Sequence, residues 1–158
     1  LTTVSKISTH FLYPSHLFVG SQHTEVTTVL GSCISVCLYD TVRKIGAINH
    51  FMLPFWNGQG LASVKYGNIA TEKLIKEMLR HNCRVENIIA KVFGGANQVE
   101  FTARIGDRNA EVAHDILKEH GIRVVAKSVG GKVGRKIIFD TESGVVKMRY
   151  VGSQKKTP

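Results

Sequence analysis

Cys33 closes the run Leu30-Gly31-Ser32-Cys33, and His50 lies on the next apolar stretch of the chain. A thiol beside exposed backbone amides is an arrangement for acyl transfer, in which sulfur attacks a carbonyl and amides hold the oxyanion. Gly31 permits positive φ or close backbone approach, so amides around Ser32 and Cys33 can face a substrate oxygen. A lone free cysteine is more often a small buried hydrophobe. His50 shifts that balance, because antiparallel neighbours bring residues distant in sequence within reach. An unperturbed thiol near pKa 8.5 is about a few per cent thiolate at neutral pH, and an adjacent imidazolium is expected to lower that pKa.

Other bases compete with His50. His10, His16 and His23 lie in a polar leader, and His81, His114 and His120 fall in helical or helix-end patterns, so all six read as solvated surface. A Cys-His pair often needs a third group to hold the ring. Thr27 and Thr28 precede the turn, and either hydroxyl can accept from an imidazole. Cys37, four residues after Cys33, shares its strand face and reads as packing. Zinc held by Cys33, Cys37 and His50 would lack a fourth ligand and standard spacing, so no metal or cofactor is expected.

The elements that must position these groups alternate between strands and helices. β-branched Thr24 to Leu30 and alternating Ile34 to Tyr39 form two strands around the Gly-Ser-Cys turn, and Ile45 to Leu53 forms a third that ends at Pro54. Phe55 to Tyr66 has no period and reads as a loop. A helix begins at Asn68, its expected N-cap, with Ile69, Ala70, Leu74, Met78 and Leu79 at helical spacing. Val85 to Phe93 is a strand closed by Gly94-Gly95. A second helix, capped by Asp107, carries Ala110, Ala113, Ile116 and Leu117 and stops at Gly121. Ile122 to Val129 is its strand, closed by Gly130-Gly131, a weak internal echo of the first unit. Arg135 to Asp140 and Val145 to Val151 make a final hairpin turned at Glu142-Ser143-Gly144.

With 158 residues, 43% hydrophobic and 21% charged, the chain suits one globular α/β domain over 1–158 with no internal linker. No apolar run approaches the roughly 20 residues that span a bilayer, and Leu1 to Thr9 lacks a secretory pattern, so a cytoplasmic location is expected. Three cysteines give an odd count, which argues against a disulfide framework. The net charge of +9 favours acidic partners. Its Lys and Arg residues form no long basic run, so nucleic-acid binding is not expected.

The quoted residues carry a resemblance. Leu30-Gly31-Ser32-Cys33-Ile34-Ser35-Val36-Cys37-Leu38-Tyr39-Asp40 and Asn49-His50-Phe51-Met52-Leu53-Pro54 resemble the chemoreceptor glutamine deamidase family, CheD. Lys91 to Ala96, Ile105 to Ala110 and Val129 to Gly131 extend the match in order, so that similarity runs from about Pro14 to Val151. The resemblance implies a sandwich of two packed mixed β-sheets with outer helices, related to toxin deamidases. It implies a Cys-His-Thr set on Cys33, His50 and Thr27; the turn itself offers Gly31 and Ser32 for the oxyanion. It also implies glutamine deamidation of chemoreceptor cytoplasmic domains, a second activity on glutamate methyl esters, and a CheC-type phosphatase partner. The rival, non-catalytic reading is an adaptor that stimulates such a phosphatase.

Overall fold

The computed structural model describes residues 6–97 and 104–152. Nine strands and two helices run in the order β1 (Ser8–Phe11), β2 (His16–Gly20), β3 (Thr24–Leu30), β4 (Ile34–Asp40), β5 (Ile45–His50), α1 (Gly67–Arg80), β6 (Ile88–Gly94), α2 (Ile105–Glu119), β7 (Arg123–Val129), β8 (Gly134–Asp140) and β9 (Val146–Val151) among the described residues. The strands form a four-stranded sheet, β1-β3-β8-β9, and a five-stranded sheet, β2-β5-β4-β6-β7. Both sheets are mixed, since β1 and β3 pair parallel, as do β6 and β7, while the other pairs are antiparallel. The expected two-sheet sandwich is therefore present. Both helices pack on the five-stranded sheet.

That layering follows from β4, all of whose residues are buried. A strand with apolar side chains on both faces belongs in the middle of a stack. Its Ile34, Val36 and Leu38 join Leu74, Met78, Val112 and Leu117 under the helices. Its Cys37 turns to the opposite face and packs with Ile48, Phe93, Val26, Leu30, Ile137 and Phe139 between the sheets. Cys37 and Cys83 are buried in these two cores, matching the packing roles expected of them.

Several local expectations need correction. The supposed polar leader contains β1 and β2, whose partners are β3 and β5. Isolated strands this short are marginal, and sheet pairing supplies what local pattern lacks. Helix α1 starts at Gly67 after Tyr66, and Asn68 does not cap it; its Oδ1 accepts the Trp56 N–H at 3.0 Å, tying down the loop instead. Helix α2 starts at Ile105 after Arg104 in the left-handed region. Asp107 sits in its first turn and accepts from Asn97 Nδ2 and Arg104 Nε, each at 2.7 Å. The β6 strand begins at Ile88, after a short 3-10 turn over Val85–Asn87. No helix among the described residues is long and apolar enough to cross a membrane.

Candidate active site

Cys33 precedes β4 and His50 ends β5, and the pairing of these strands sets their relationship. Ile34 and Phe51 exchange both backbone bonds, Ile34 N–H to Phe51 O at 3.1 Å and Phe51 N–H to Ile34 O at 2.9 Å. Cys33 and His50 thus lie one residue before the two members of a closed pair. The register continues through Cys37 opposite Ile48, both facing the space between the sheets. Alternation puts Cys33 and His50 on that same face, as diagonal neighbours across the strand pair. Cys33 is half-buried against the inter-sheet core, and His50 is 2% exposed.

The third group is Thr28. Its hydroxyl lies 2.7 Å from His50 Nδ1 and 2.7 Å from the Leu12 carbonyl oxygen. Thr27, expected to hold the ring, does not occupy this position. On β3 the buried positions are Thr24, Val26, Thr28 and Leu30, while Thr27 shares the other face with Glu25 and Val29. A strand has period two, so adjacent threonines cannot both point between the sheets. The signal was available in the sequence: Thr28 is in phase with Val26 and Leu30, and Thr27 is not.

The bonding of Thr28 also selects the tautomer of His50. A hydroxyl has one proton, and the Leu12 carbonyl can only accept it. The ring must then donate its Nδ1–H to Thr28 Oγ1, which leaves Nε2 with the free lone pair. Leu12 is held in turn, since its N–H donates to the Thr27 carbonyl at 2.8 Å. Ser15 N–H donates to the His50 carbonyl at 2.8 Å, so the chain around residues 12–16 braces both the ring's partner and its backbone.

The turn itself is pinned through its carbonyls. Gly31 O accepts from Ala96 N–H at 2.9 Å, Ser32 O from Asn109 Nδ2 at 2.9 Å, and Cys33 O from Gly95 N–H at 2.9 Å. Carbonyl and N–H of one trans peptide point in opposite directions. Fixing the Gly31 and Ser32 carbonyls therefore turns the Ser32 and Cys33 N–H groups away from the glycine pair and from α2. These two amides have no hydrogen-bond acceptor among the described residues. Gly94, at φ +112°, allows the close approach, since a methyl group there would collide with the Cys33 carbonyl. Arg135 supports the same corner, donating to the carbonyls of Gly94 at 3.1 Å and Gly130 at 2.9 Å.

Electrostatics correct one expectation. Burial pushes the Cys33 thiol up to about 11 and the His50 imidazole down to about 4. A thiolate-imidazolium pair is thus disfavoured at rest, and burial of both partners is the cause. At rest the thiol and the imidazole are both neutral, and the Nε2 of His50 carries a free lone pair. Burial also raises Cys83 to about 12 and Cys37 further still. Cys33 remains the most readily ionised of the three. Such a site can carry out acyl transfer with proton removal during attack.

Comparison with known proteins places this chain in a family. The model described as CheD chemotactic sensory transduction matches residues 52–150. A protein of Trichlorobacter lovleyi is 50% identical over 145 residues, covering 90% of each chain. One from Sulfurimonas denitrificans is 46% identical over 145 residues, covering 89% of this chain and 93% of its own. Both carry the name "Probable chemoreceptor glutamine deamidase CheD". A third relative, from Anaeromyxobacter dehalogenans, is 36% identical over 144 residues, covering 89% of this chain and 84% of its own.

Proposed function

The chain belongs to the CheD family, and from that premise we propose that it is a protein-glutamine deamidase acting on chemoreceptors, with Cys33 as nucleophile. The observation that carries this reading is the Thr28-oriented His50 on the same inter-sheet face as Cys33. His50 Nε2 takes the thiol proton as Cys33 Sγ attacks the δ-carbonyl carbon of a glutamine side chain. The carbonyl oxygen gains charge as the S–C bond forms, and the Ser32 and Cys33 amides are its donors. Each well-placed donor of this kind is worth about 3 to 4 kcal/mol.

Collapse of the tetrahedral intermediate breaks the C–N bond. The proton on His50 Nε2 passes to the nitrogen, ammonia leaves, and a thioester remains. A water then gives its proton to Nε2 and attacks the thioester carbon, releasing glutamate and restoring the thiol. Burial keeps Nε2 unprotonated at neutral pH, with a pKa near 4; it weakens the ring as an acceptor of the thiol proton and makes the imidazolium formed during attack a strong donor to the leaving nitrogen. A glutamate methyl ester would pass through the same thioester with methanol as leaving group, so receptor methylesterase activity belongs to the same proposal.

The substrate is a glutamine-bearing helix of a receptor cytoplasmic domain. The net charge of +9 suits an acidic surface on that partner. A CheC-type phosphatase is the second partner proposed, with cytoplasmic action. The test is intact-mass analysis of a receptor cytoplasmic fragment incubated with enzyme. Wild type should add about one dalton per converted glutamine, as amide becomes acid through a covalent route, and Cys33→Ala and His50→Ala should add none. Conversion by Cys33→Ala would remove the nucleophile assignment. No gain with wild type, alongside persistent phosphatase binding, would instead favour the adaptor reading.

A further inference from the structure

We propose that Asn109 is the positioning residue that holds the nucleophile turn against the histidine strand and aims the Cys33 amide at the reacting carbonyl; this rests on the deamidase reading. Asn109 lies in the first half of α2 and is fully buried. Its single Nδ2 group bridges two carbonyls, Ser32 O at 2.9 Å and Met52 O at 3.0 Å. Ser32 immediately precedes Cys33, and Met52 lies two residues beyond His50. One rigid carboxamide therefore spans the turn that carries the thiol and the strand end that carries the base.

Two carbonyl acceptors fix which way the amide faces. The NH2 must point at the turn, and Oδ1 is then left without a hydrogen-bond partner among the described residues. A buried unsatisfied acceptor costs about 1 to 3 kcal/mol. An apolar side chain would avoid that cost but would supply no donor to either carbonyl. The position thus favours geometry at the turn over packing of the helix.

The peptide between Ser32 and Cys33 translates this contact into chemistry. Because its carbonyl is drawn toward α2 by Asn109, its N–H faces the opposite way, toward the side from which a substrate oxygen can approach. The helix is itself held in register at this end. Gly106 packs on the Gly95 carbonyl without room for a methyl group, and Asp107 grips Asn97 and Arg104. Asn109 is consequently presented from a fixed platform.

The experiment uses the whole chain with Asn109→Leu, which keeps the γ-branched shape without the donor, and Asn109→Ala, which keeps neither shape nor donor. Deamidation of a receptor cytoplasmic fragment is read as kcat and KM, alongside melting temperature and the rate of Cys33 alkylation by iodoacetamide. Loss of an aimed oxyanion donor predicts a fall in kcat of about 100-fold or more, with KM and alkylation within about threefold in the folded variants. Wild-type kcat in folded variants would overturn the proposal. So would failure of both variants to fold, which would make Asn109 a support of the fold, and so would a rise in KM that accounts for the whole loss. A wild type inactive on the receptor refutes the deamidase reading and this inference with it, whereas an active wild type with unaffected variants refutes this inference alone.

Discussion

Thr28 Oγ1 lies 2.7 Å from His50 Nδ1 while giving its own proton to the Leu12 carbonyl, so the imidazole is held with Nε2 as its free base. A hydroxyl does here what a carboxylate does in many related arrangements. It orients the ring without adding a negative charge, and so leaves burial free to lower the His50 pKa.

Thr28→Val removes the acceptor while keeping the shape of the side chain. Turnover should fall about 100-fold, within the range that a mispositioned acid-base group costs. Thr28→Ser should stay within about tenfold of wild type, and Thr27→Val should be near neutral because Thr27 lies on the other face of β3. Steady-state kinetics on a receptor fragment decide this. A larger effect at Thr27 than at Thr28 would reverse the assignment.

The pH dependence follows from His50. Its pKa is depressed to about 4, so the base form persists through pH 5 to 7 and the acid limb of kcat/KM should appear only near pH 4. An acid limb at the ordinary imidazole value, about 6.5, would contradict the buried neutral ring. Stability carries the same sign. The unfolded chain takes up a proton at His50 as pH falls below about 6.5 while the folded chain does not, so stability present above that pH is lost toward pH 4. The loss is about 3 kcal/mol, and comparing denaturation of wild type with His50→Gln isolates it.

The three cysteines should separate under alkylation. Cys33 is half-buried with its thiol near 11, whereas Cys83, near 12, and Cys37, higher still, are buried in the two cores. Iodoacetamide followed by peptide mass mapping should label Cys33 first, and slowly at neutral pH, because little thiolate exists before substrate binds. Faster labelling of Cys37 or Cys83 in folded protein would be inconsistent with this burial.

Gly94 and Gly121 share positive φ but differ in surroundings. At Gly94, φ +112°, a methyl group would meet the Cys33 carbonyl; at Gly121, φ +72°, nothing lies within 4 Å. Gly94→Ala should lower stability by about 1 to 3 kcal/mol and reduce turnover in the folded fraction. Gly121→Ala should cost about 1 kcal/mol and leave kcat unchanged. Thermal melts and kinetics on both variants read the difference. Equal kcat in the two would detach Gly94 from the nucleophile turn.

The sequence by itself singled out the pair proposed as nucleophile and base, and determined most of the elements that carry it. Cys33 after Gly31-Ser32 and His50 on the following strand are local facts, and a strand pair joined by a short turn brings its ends together by period and pairing alone. The helices over α1 and α2 were equally legible, because 3.6-residue spacing of Leu74 and Met78, or Ala113 and Leu117, is written in adjacent turns. What only the tertiary structure decided involves partners far along the chain. The strands β1 and β2 exist because β3 and β5 supply their hydrogen bonds. Leu12 matters because it accepts from Thr28, and Asn109 because it reaches Ser32 and Met52 from another element. The choice between Thr27 and Thr28 lay in strand phase, but which phase faces His50 depended on how the two sheets stack. Protonation was decided last and least locally: the same thiol and imidazole form an ion pair in one dielectric and a neutral pair in another, and burial by both sheets sets which one holds here.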